Sequence, residues 1–255
     1  MKAKGEIDMS QTLKFLVNRE HKGQVNSNKS AYYKNGKTLV LINCGKGMLD
    51  AMKRGKTLYG VEDVYVIVTC SDKNHLADLK GFFAVLKLAG IKPKLIDSIS
   101  LNKTLLKKMG INDGEDCQML EPLSSGLNWV NFLATPHKAK GFSCPVELRL
   151  DGKTIFYGGD CGIVPFAIKG YDEYYFDFSD KKSEYHLDPL TARNLVQKNS
   201  IKQNQLFLVH IQTIEALKTA HKIGLNVARE EEAKLTRIEK KYAKKAQKHQ
   251  AGLER

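Results

Sequence analysis

Two turn-forming dipeptides place the strongest constraint on how this chain folds. Asn35-Gly36 and Asp151-Gly152 each lie between two runs of β-forming residues. Such dipeptides favour the left-handed turn of a two-residue hairpin, so each predicts a pair of antiparallel strands. Helical patterns lie between the strands, as in HLADLKGFFAVLKLAG (75–90), which ends at a glycine. This order predicts two sheets with helices outside them rather than a doubly wound parallel sheet.

Side chains that can ligate metals follow several of the predicted strands. In VTCSDKNHLADL (68–79) they occur at i, i+2, i+4 and i+5 of a strand-to-helix turn, which is a metal-site spacing. Others follow the strands WVNFLATP, TIFYGG and QLFLV. Strand ends are where a scaffold presents functional side chains. The candidate residues are Cys70, Asp72, Asn74, His75, His137, Asp160 and His210.

The order of these residues resembles the metallo-β-lactamase fold, in particular the branch that contains ribonuclease Z and related phosphodiesterases. CSDKNH (70–75) aligns with the hallmark H-x-H-x-D-H, and LINCG (41–45) aligns with L-I-D-C-G. The resemblance covers about residues 12–211. It implies an α/β fold, the four-layer αβ/βα metallo-β-lactamase sandwich, in residues 1–212, followed by a polar, basic helical segment in 213–255. The N-terminal layout is similar to that of phage-encoded members that degrade cyclic nucleotides to evade Pycsar defence.

The resemblance also implies a site and an activity. Asn74 stands where the family has the aspartate that ligates the second metal and partners the attacking water. YHLDPLTA (185–192) is similar to the branch's histidine motif, which places His186 near the leaving group. The implied activity is that of a phosphodiesterase-type hydrolase acting on a nucleotide or nucleic-acid phosphodiester, with zinc or manganese as the metal. The implied metal ligands are Cys70, Asp72, His75, His137, Asp160 and His210.

The departures from the family pattern put this activity in question. Cys70 and Asp72 replace two hallmark histidines, and Asn43 and Asn74 replace two aspartates. Cysteine and aspartate still ligate zinc, but they are shorter than histidine and would pull a metal towards the backbone by roughly 1–1.5 Å. An asparagine carries no charge and cannot act as a general base. We therefore expect substoichiometric metal or none, and the alternative function is a catalytically inactive, metal-free member that binds a nucleotide or phosphate ligand.

Several candidates also have purely structural interpretations. Asp72 or Asn74 could cap the helix that begins near His75, because short polar side chains accept hydrogen bonds from the first backbone N–H groups of a helix. Cys70 could be an ordinary buried thiol, and His186 a surface histidine in a turn. The remaining candidates could be hydrogen-bonded remnants of an ancestral site: His137, Asp160 and His210.

Composition narrows the choice of partners and location. The net charge of +13 favours anionic partners, either a nucleotide or nucleic acid, although a solvated lysine-rich surface has the same composition. Five cysteines without regular spacing fit a reduced, cytoplasmic protein, and neither a signal peptide nor a membrane-spanning run is expected. A homodimer is a further expectation. Residues 213–252 are expected to be helical and mostly polar, either solvated or packed on a partner.

Overall fold

Two six-stranded sheets lie at the centre of the computed structural model, which describes residues 11–21, 24–97, 103–121, 126–133, 144–160, 167–181, 186–211 and 213–253. The first sheet has its strands in chain order, antiparallel at β1–β2–β3 and parallel at β3–β4–β5–β6. Its strands are β1 (Lys14–His21), β2 (Gln24–Asn35), β3 (Thr38–Ile42), β4 (Asp63–Val68), β5 (Lys94–Asp97) and β6 (Gln118–Leu120).

The second sheet repeats this arrangement, with its antiparallel strands first in the chain and its parallel strands after them. Strands β7–β8–β9 are antiparallel, and β9–β10–β11–β12 are parallel. They are β7 (Val130–Phe132), β8 (Val146–Leu150), β9 (Lys153–Gly159), β10 (Glu173–Asp177), β11 (Leu206–Val209) and β12 (Asn226–Val227). Both sheets are mixed, so the predicted hairpins are only part of the strand pairing.

Helices cover the outer face of each sheet and give the four-layer αβ/βα sandwich that the sequence predicted. One buried cluster joins the first sheet to the helices of the N-terminal half, and a second joins the other sheet to the later helices. A third cluster fills the space between the sheets, for example Ile42 and Ile67 against Tyr157, Tyr175 and Phe207. The helices are α1 (Met48–Arg54), α2 (Lys73–Leu76), α3 (Leu79–Leu88), α4 (Lys103–Lys108), α5 (Pro189–Asn199), α6 (Ile214–Lys222) and α7 (Arg229–Leu253), with a 3₁₀ turn at Gln203–Gln205.

Both predicted hairpin turns are confirmed. Asn35 pairs with Thr38, so the first turn consists of Gly36, whose φ is +56°, and Lys37, one residue later than the dipeptide itself. Asp151 and Gly152 have φ of 54° and 73°, the left-handed pair that a tight hairpin requires. Helix α1 ends at Gly55, which is its C-cap residue.

The single helix predicted over residues 75–90 is wrong, because the chain breaks it into α2 and α3. Asp78 separates the two. Its backbone N–H donates to the carbonyl of Cys44, and its carboxylate accepts from the N–H of Leu49. These bonds to another segment stabilise a break that the helical periodicity does not indicate.

The sequence predicted that residues 213–252 are helical throughout, and the structure shows that they are not. The short strand β12 lies between α6 and α7 and extends the second sheet. Leu217, Leu235 and Ile238 of these helices lie in the same buried cluster as Leu206 and Leu208 of β11. The domain boundary between 212 and 213 stays a prediction. Among the described residues, none of the helices has the length and apolar character needed to cross a bilayer.

Candidate functional site

Neighbouring strands bring the candidate side chains to one edge of the sandwich. Asp160 follows β9, Asp177 ends β10 and His210 follows β11. These three strands are parallel neighbours, so their carboxyl ends meet at one edge of the second sheet. His75 comes from α2, after β4 of the first sheet, and reaches the same place.

Glycines let the chain turn at the end of β9. Gly159 has φ +53°, in the left-handed region that glycine tolerates best. A Cβ on Gly158 would lie 2.7 Å from the Phe176 ring, so a larger side chain does not fit there. The two glycines allow close packing and then present Asp160 at the edge.

The loop after β11 is held by a glutamate of the C-terminal helix. His210 has φ 60°, an uncommon conformation for a residue other than glycine. The backbone N–H groups of His210 and Ile211 donate to the two carboxylate oxygens of Glu231 at 2.9 and 2.8 Å. All three residues are buried, so α7 fixes the position from which the His210 ring enters the site.

Asp160 is the centre of the cluster. Its Oδ2 lies 2.8 Å from His75 Nε2 and 2.6 Å from Lys29 Nζ, and its Oδ1 lies 3.3 Å from His210 Nδ1. Burial by itself would raise the pKa of this carboxyl, but His75, His210 and Lys29 outweigh it and hold the pKa well below its usual value. Asp160 is therefore ionised in the folded protein at neutral pH.

Asp177 is a second buried carboxylate at the same edge. Its Oδ2 lies 2.5 Å from His186 Nδ1, 3.5 Å from His210 Nδ1 and 3.8 Å from Lys29 Nζ. The contact with Asp177 raises the pKa of His186. Burial would lower the pKa of His210, but Asp177 and Asp160 raise it to about 9. Both histidines thus favour the protonated form beside the carboxylates.

A small cavity lies beside this cluster and opens it to ligands. Its volume is about 230 Å³, and its walls include Asp177, His186 and His210. Thr213, the N-cap residue of α6, also lines the cavity, and its hydroxyl accepts from Ala216 N–H. A helix N-terminus beside histidines favours an anion.

The sequence-predicted residues of the CSDKNH turn have different roles in the fold. Asp72 is exposed and caps α2, since its Oδ1 accepts from the N–H of Asn74 at 2.7 Å. Asn74 is also exposed. Cys70 is buried, and burial is the main cause that raises the pKa of its thiol to about 11, so it is protonated at neutral pH. The capping interpretation of Asp72 is confirmed, whereas its role as a ligand and the catalytic role of Asn74 stay predictions.

Of two other positions singled out in the sequence, Asn43 lies within the described residues and His137 does not. Asn43 is buried and binds Thr69, with its Oδ1 accepting from Thr69 N and its Nδ2 donating to Thr69 Oγ1. It ties the end of β3 to the segment that leads into Cys70. His137 lies outside the described residues, so its proposed ligand role stays a prediction.

Sequence reasoning missed Lys29 and Asp177. Asp177 had a usable signal, because it ends the fully buried run EYYFD, where a carboxylate needs a partner. Lys29 had none, since it lies in a polar stretch of β2 and meets Asp160 only through tertiary contact.

Carboxylate and imidazole groups at the site could ligate a metal, but the ammonium of Lys29 already lies between the carboxylates. Asp160, Asp177 and His186 form a candidate metal-binding group whose ligand atoms lie within 4.8 Å of one another. Buried His210 Nε2 makes no hydrogen bond among the described residues, which fits a polar ligand nearby. Lys29 Nζ, however, lies 2.6 Å from Asp160 Oδ2 and faces both carboxylates. With Lys29 in this position the residues present do not fit a divalent ion.

Comparison with solved structures identifies the fold as that of the metallo-β-lactamases. The metallo-β-lactamase fold protein YhfI from Bacillus subtilis superposes with a TM-score of 0.63 at 15% identity, over 84% of this chain and 93% of that one. A diphosphatase of the PhnP family gives a TM-score of 0.61 at 14% identity, over 85% and 94% of the two chains. Human tRNase Z, short form, gives 0.54 at 16% identity, over 78% and 92%. Identities this low show the fold alone.

The sequence comparisons add no closer relationship. No protein-family model matches the chain, and the search of curated proteins gives no match. The fold is therefore assigned through the structure alone, and membership of the ribonuclease Z-like branch stays a prediction.

Proposed function

We propose that this protein binds a phosphodiester, such as a nucleotide, in the cavity beside Asp177, His186 and His210, and acts on it as a phosphodiesterase-type hydrolase. The observation that carries the proposal is the meeting of three features in one cavity of about 230 Å³: a carboxylate–histidine pair, a buried histidine and a helix N-terminus. A phosphate group needs hydrogen-bond donors and positive charge, and this cavity offers both.

Charge at the site supports a singly charged anion. Asp160 and Asp177 contribute two negative charges, while Lys29 and protonated His210 contribute two positive ones. Proton uptake by His186 leaves the cluster with a net positive charge, which suits the single negative charge of a phosphodiester. The net charge of +13 on the chain would draw such anions to the protein.

His186 is the residue that would exchange a proton with the substrate. Its Nδ1 faces Asp177, which fixes the ring and supports its protonated form. The ring is partly exposed towards the cavity, with 32% of the side chain accessible, whereas His210 is at 1%. His186 can therefore meet a leaving oxygen and donate a proton to it as a general acid. The resemblance to the ribonuclease Z-like branch assigns the same role, and two structural neighbours are a diphosphatase and a tRNase.

The test is hydrolysis of bis(p-nitrophenyl) phosphate by the full chain and by His186→Gln. Loss of the proton donor should lower kcat by about 10²–10⁴-fold with little change in KM. His221→Gln is the matched control, because His221 is an exposed histidine of α6 that pairs with Glu232 away from the site. Equal kcat for the two variants would refute the role of His186.

Binding without cleavage is the second candidate function, and the environment of Asn74 favours it. Asn74 is uncharged and exposed, so it supplies no base for an attacking water. If this is the function, calorimetry should detect nucleotide binding, and the protein should hydrolyse no phosphodiester. If the protein is instead a phosphodiesterase that lacks only the base, Asn74→Asp should raise turnover, and the triple variant Cys70→His, Asp72→His, Asn74→Asp should raise it further. Negligible activity in both, with metal bound to the triple variant, would favour the binding protein.

A further inference from the structure

Lys29 reaches the site because β2 is irregular at this point. Phe15 pairs with Ala31 and Val17 pairs with Ser27, so two residues of β1 span four of β2. Lys29 lies inside this bulge with φ 53°. This left-handed backbone conformation is energetically unfavourable for residues other than glycine. A bulge redirects a side chain from the regular strand pattern, and here it sends the lysine to the edge of the second sheet.

The lysine ammonium lies between the two carboxylates of the candidate metal group. Its Nζ is 2.6 Å from Asp160 Oδ2 and 3.8 Å from Asp177 Oδ2. The exposed fractions of the three side chains are low: 14% for Lys29, 15% for Asp160 and 3% for Asp177. Two carboxylates with this little solvent need a counter-charge, and Lys29 supplies one.

A divalent ion bound to Asp160 would share this carboxylate with the lysine ammonium. A zinc ion would bind Asp160 Oδ2 at about 2.0–2.2 Å, which puts it within about 5 Å of an ammonium that contacts the same oxygen. The two cations would repel each other at close range in a poorly solvated site.

We propose that Lys29 is the resident cation of this site and that its ammonium takes the place of a divalent metal between Asp160 and Asp177. The group Asp160, Asp177 and His186 is then a latent metal site, complete in its donors and blocked by one side chain. This inference concerns which cation the site holds, and it stands whether or not the chain cleaves a phosphodiester.

The experiment measures Zn²⁺ and Mn²⁺ binding to the metal-stripped full chain by calorimetry, with elemental analysis of the same samples. Lys29→Met removes the charge and keeps the length, so it should bind metal at least about tenfold more tightly than the wild type. Lys29→Arg keeps a cation in the site and should bind as weakly as the wild type. Lys34→Met is the matched control, since Lys34 lies on the same strand and donates to the carbonyls of Thr57 and Tyr59 instead.

A second substitution tests where the metal binds. The affinity gained by Lys29→Met should be lost when Asp160→Asn is added, and circular dichroism checks that each variant is folded. Lys29→Gln is an alternative neutral variant if the methionine variant does not fold. A folded neutral variant that binds no more tightly than the wild type overturns the proposal. The proposal is also overturned if the wild-type chain binds one metal ion tightly and the substitution Asp160→Asn abolishes that binding.

Discussion

Substitution of Glu231 should destabilise the protein through two backbone groups at the edge of the site. The carboxylate accepts from the N–H groups of His210 and Ile211, at 2.9 and 2.8 Å, and all of these groups are buried. Glu231→Ala would leave both N–H groups without a partner. Each buried orphan costs about 1–3 kcal/mol. Removal of a carboxyl that is itself unfavourably buried offsets part of this loss, since burial is the main cause that raises the pKa of Glu231 to about 7. We therefore expect a net loss of about 2–4 kcal/mol in the free energy of unfolding.

Guanidinium unfolding monitored by circular dichroism measures this effect. Glu231→Gln keeps one acceptor oxygen and should lose about half as much, because its amide NH₂ group cannot accept from the second N–H. Glu232→Ala is the control one residue away. Glu232 contacts His221 at 3.2 Å with both side chains more than 40% exposed, and it should lose less than about 1 kcal/mol. If Glu231→Ala costs no more than Glu232→Ala, the carboxylate does not hold the loop, and the explanation for the placement of His210 is wrong.

Two further predictions concern the stability of the fold and its dependence on pH. Gly158→Ala should lower the free energy of unfolding by about 1–3 kcal/mol, because the added Cβ would lie 2.7 Å from the Phe176 ring, and thermal or denaturant unfolding measures the loss. Gly81→Ala is its matched control in α3, where the nearest atom is 3.8 Å away; it should be neutral or stabilising by up to about 1 kcal/mol, and equal losses for the two variants would contradict the packing argument. Asp172 accepts from the N–H and hydroxyl of Thr154, and these bonds lower its pKa in the folded protein. The ionised Asp172 carboxylate should stabilise the fold by less than about 1 kcal/mol, because the position is exposed. This stabilisation should be present above the unfolded-state pKa of about 4 and lost as the pH falls further. If the difference in free energy of unfolding between the wild type and Asp172→Asn stays constant from pH 6 to pH 2, the prediction is refuted.

Local sequence signals determined the secondary structure where the cause is itself local. The two hairpins follow from the backbone freedom of Gly36 and of Asp151-Gly152, which adopt positive φ in the turns. The resemblance to the metallo-β-lactamase fold extended these signals to the four-layer sandwich. The break between α2 and α3 was not predictable in this way, because the bonds that stabilise it join Asp78 to Cys44 and Leu49, far along the chain.

Some residues of the candidate site could likewise be predicted from the sequence, and others only from the folded structure. The sequence by itself pointed to His75, Asp160, His186 and His210, because each follows an apolar strand or lies in a recognisable motif. Only the tertiary structure brought Lys29 against Asp160, across a separation of 131 residues. A strand pattern specifies which residues are buried on each face, but a bulge and the packing of two sheets decide which charges meet. Since the attraction between two charges depends on their distance in space and on their exposure to water, the cation of this site is decided by the folded structure and not by any spacing in the sequence.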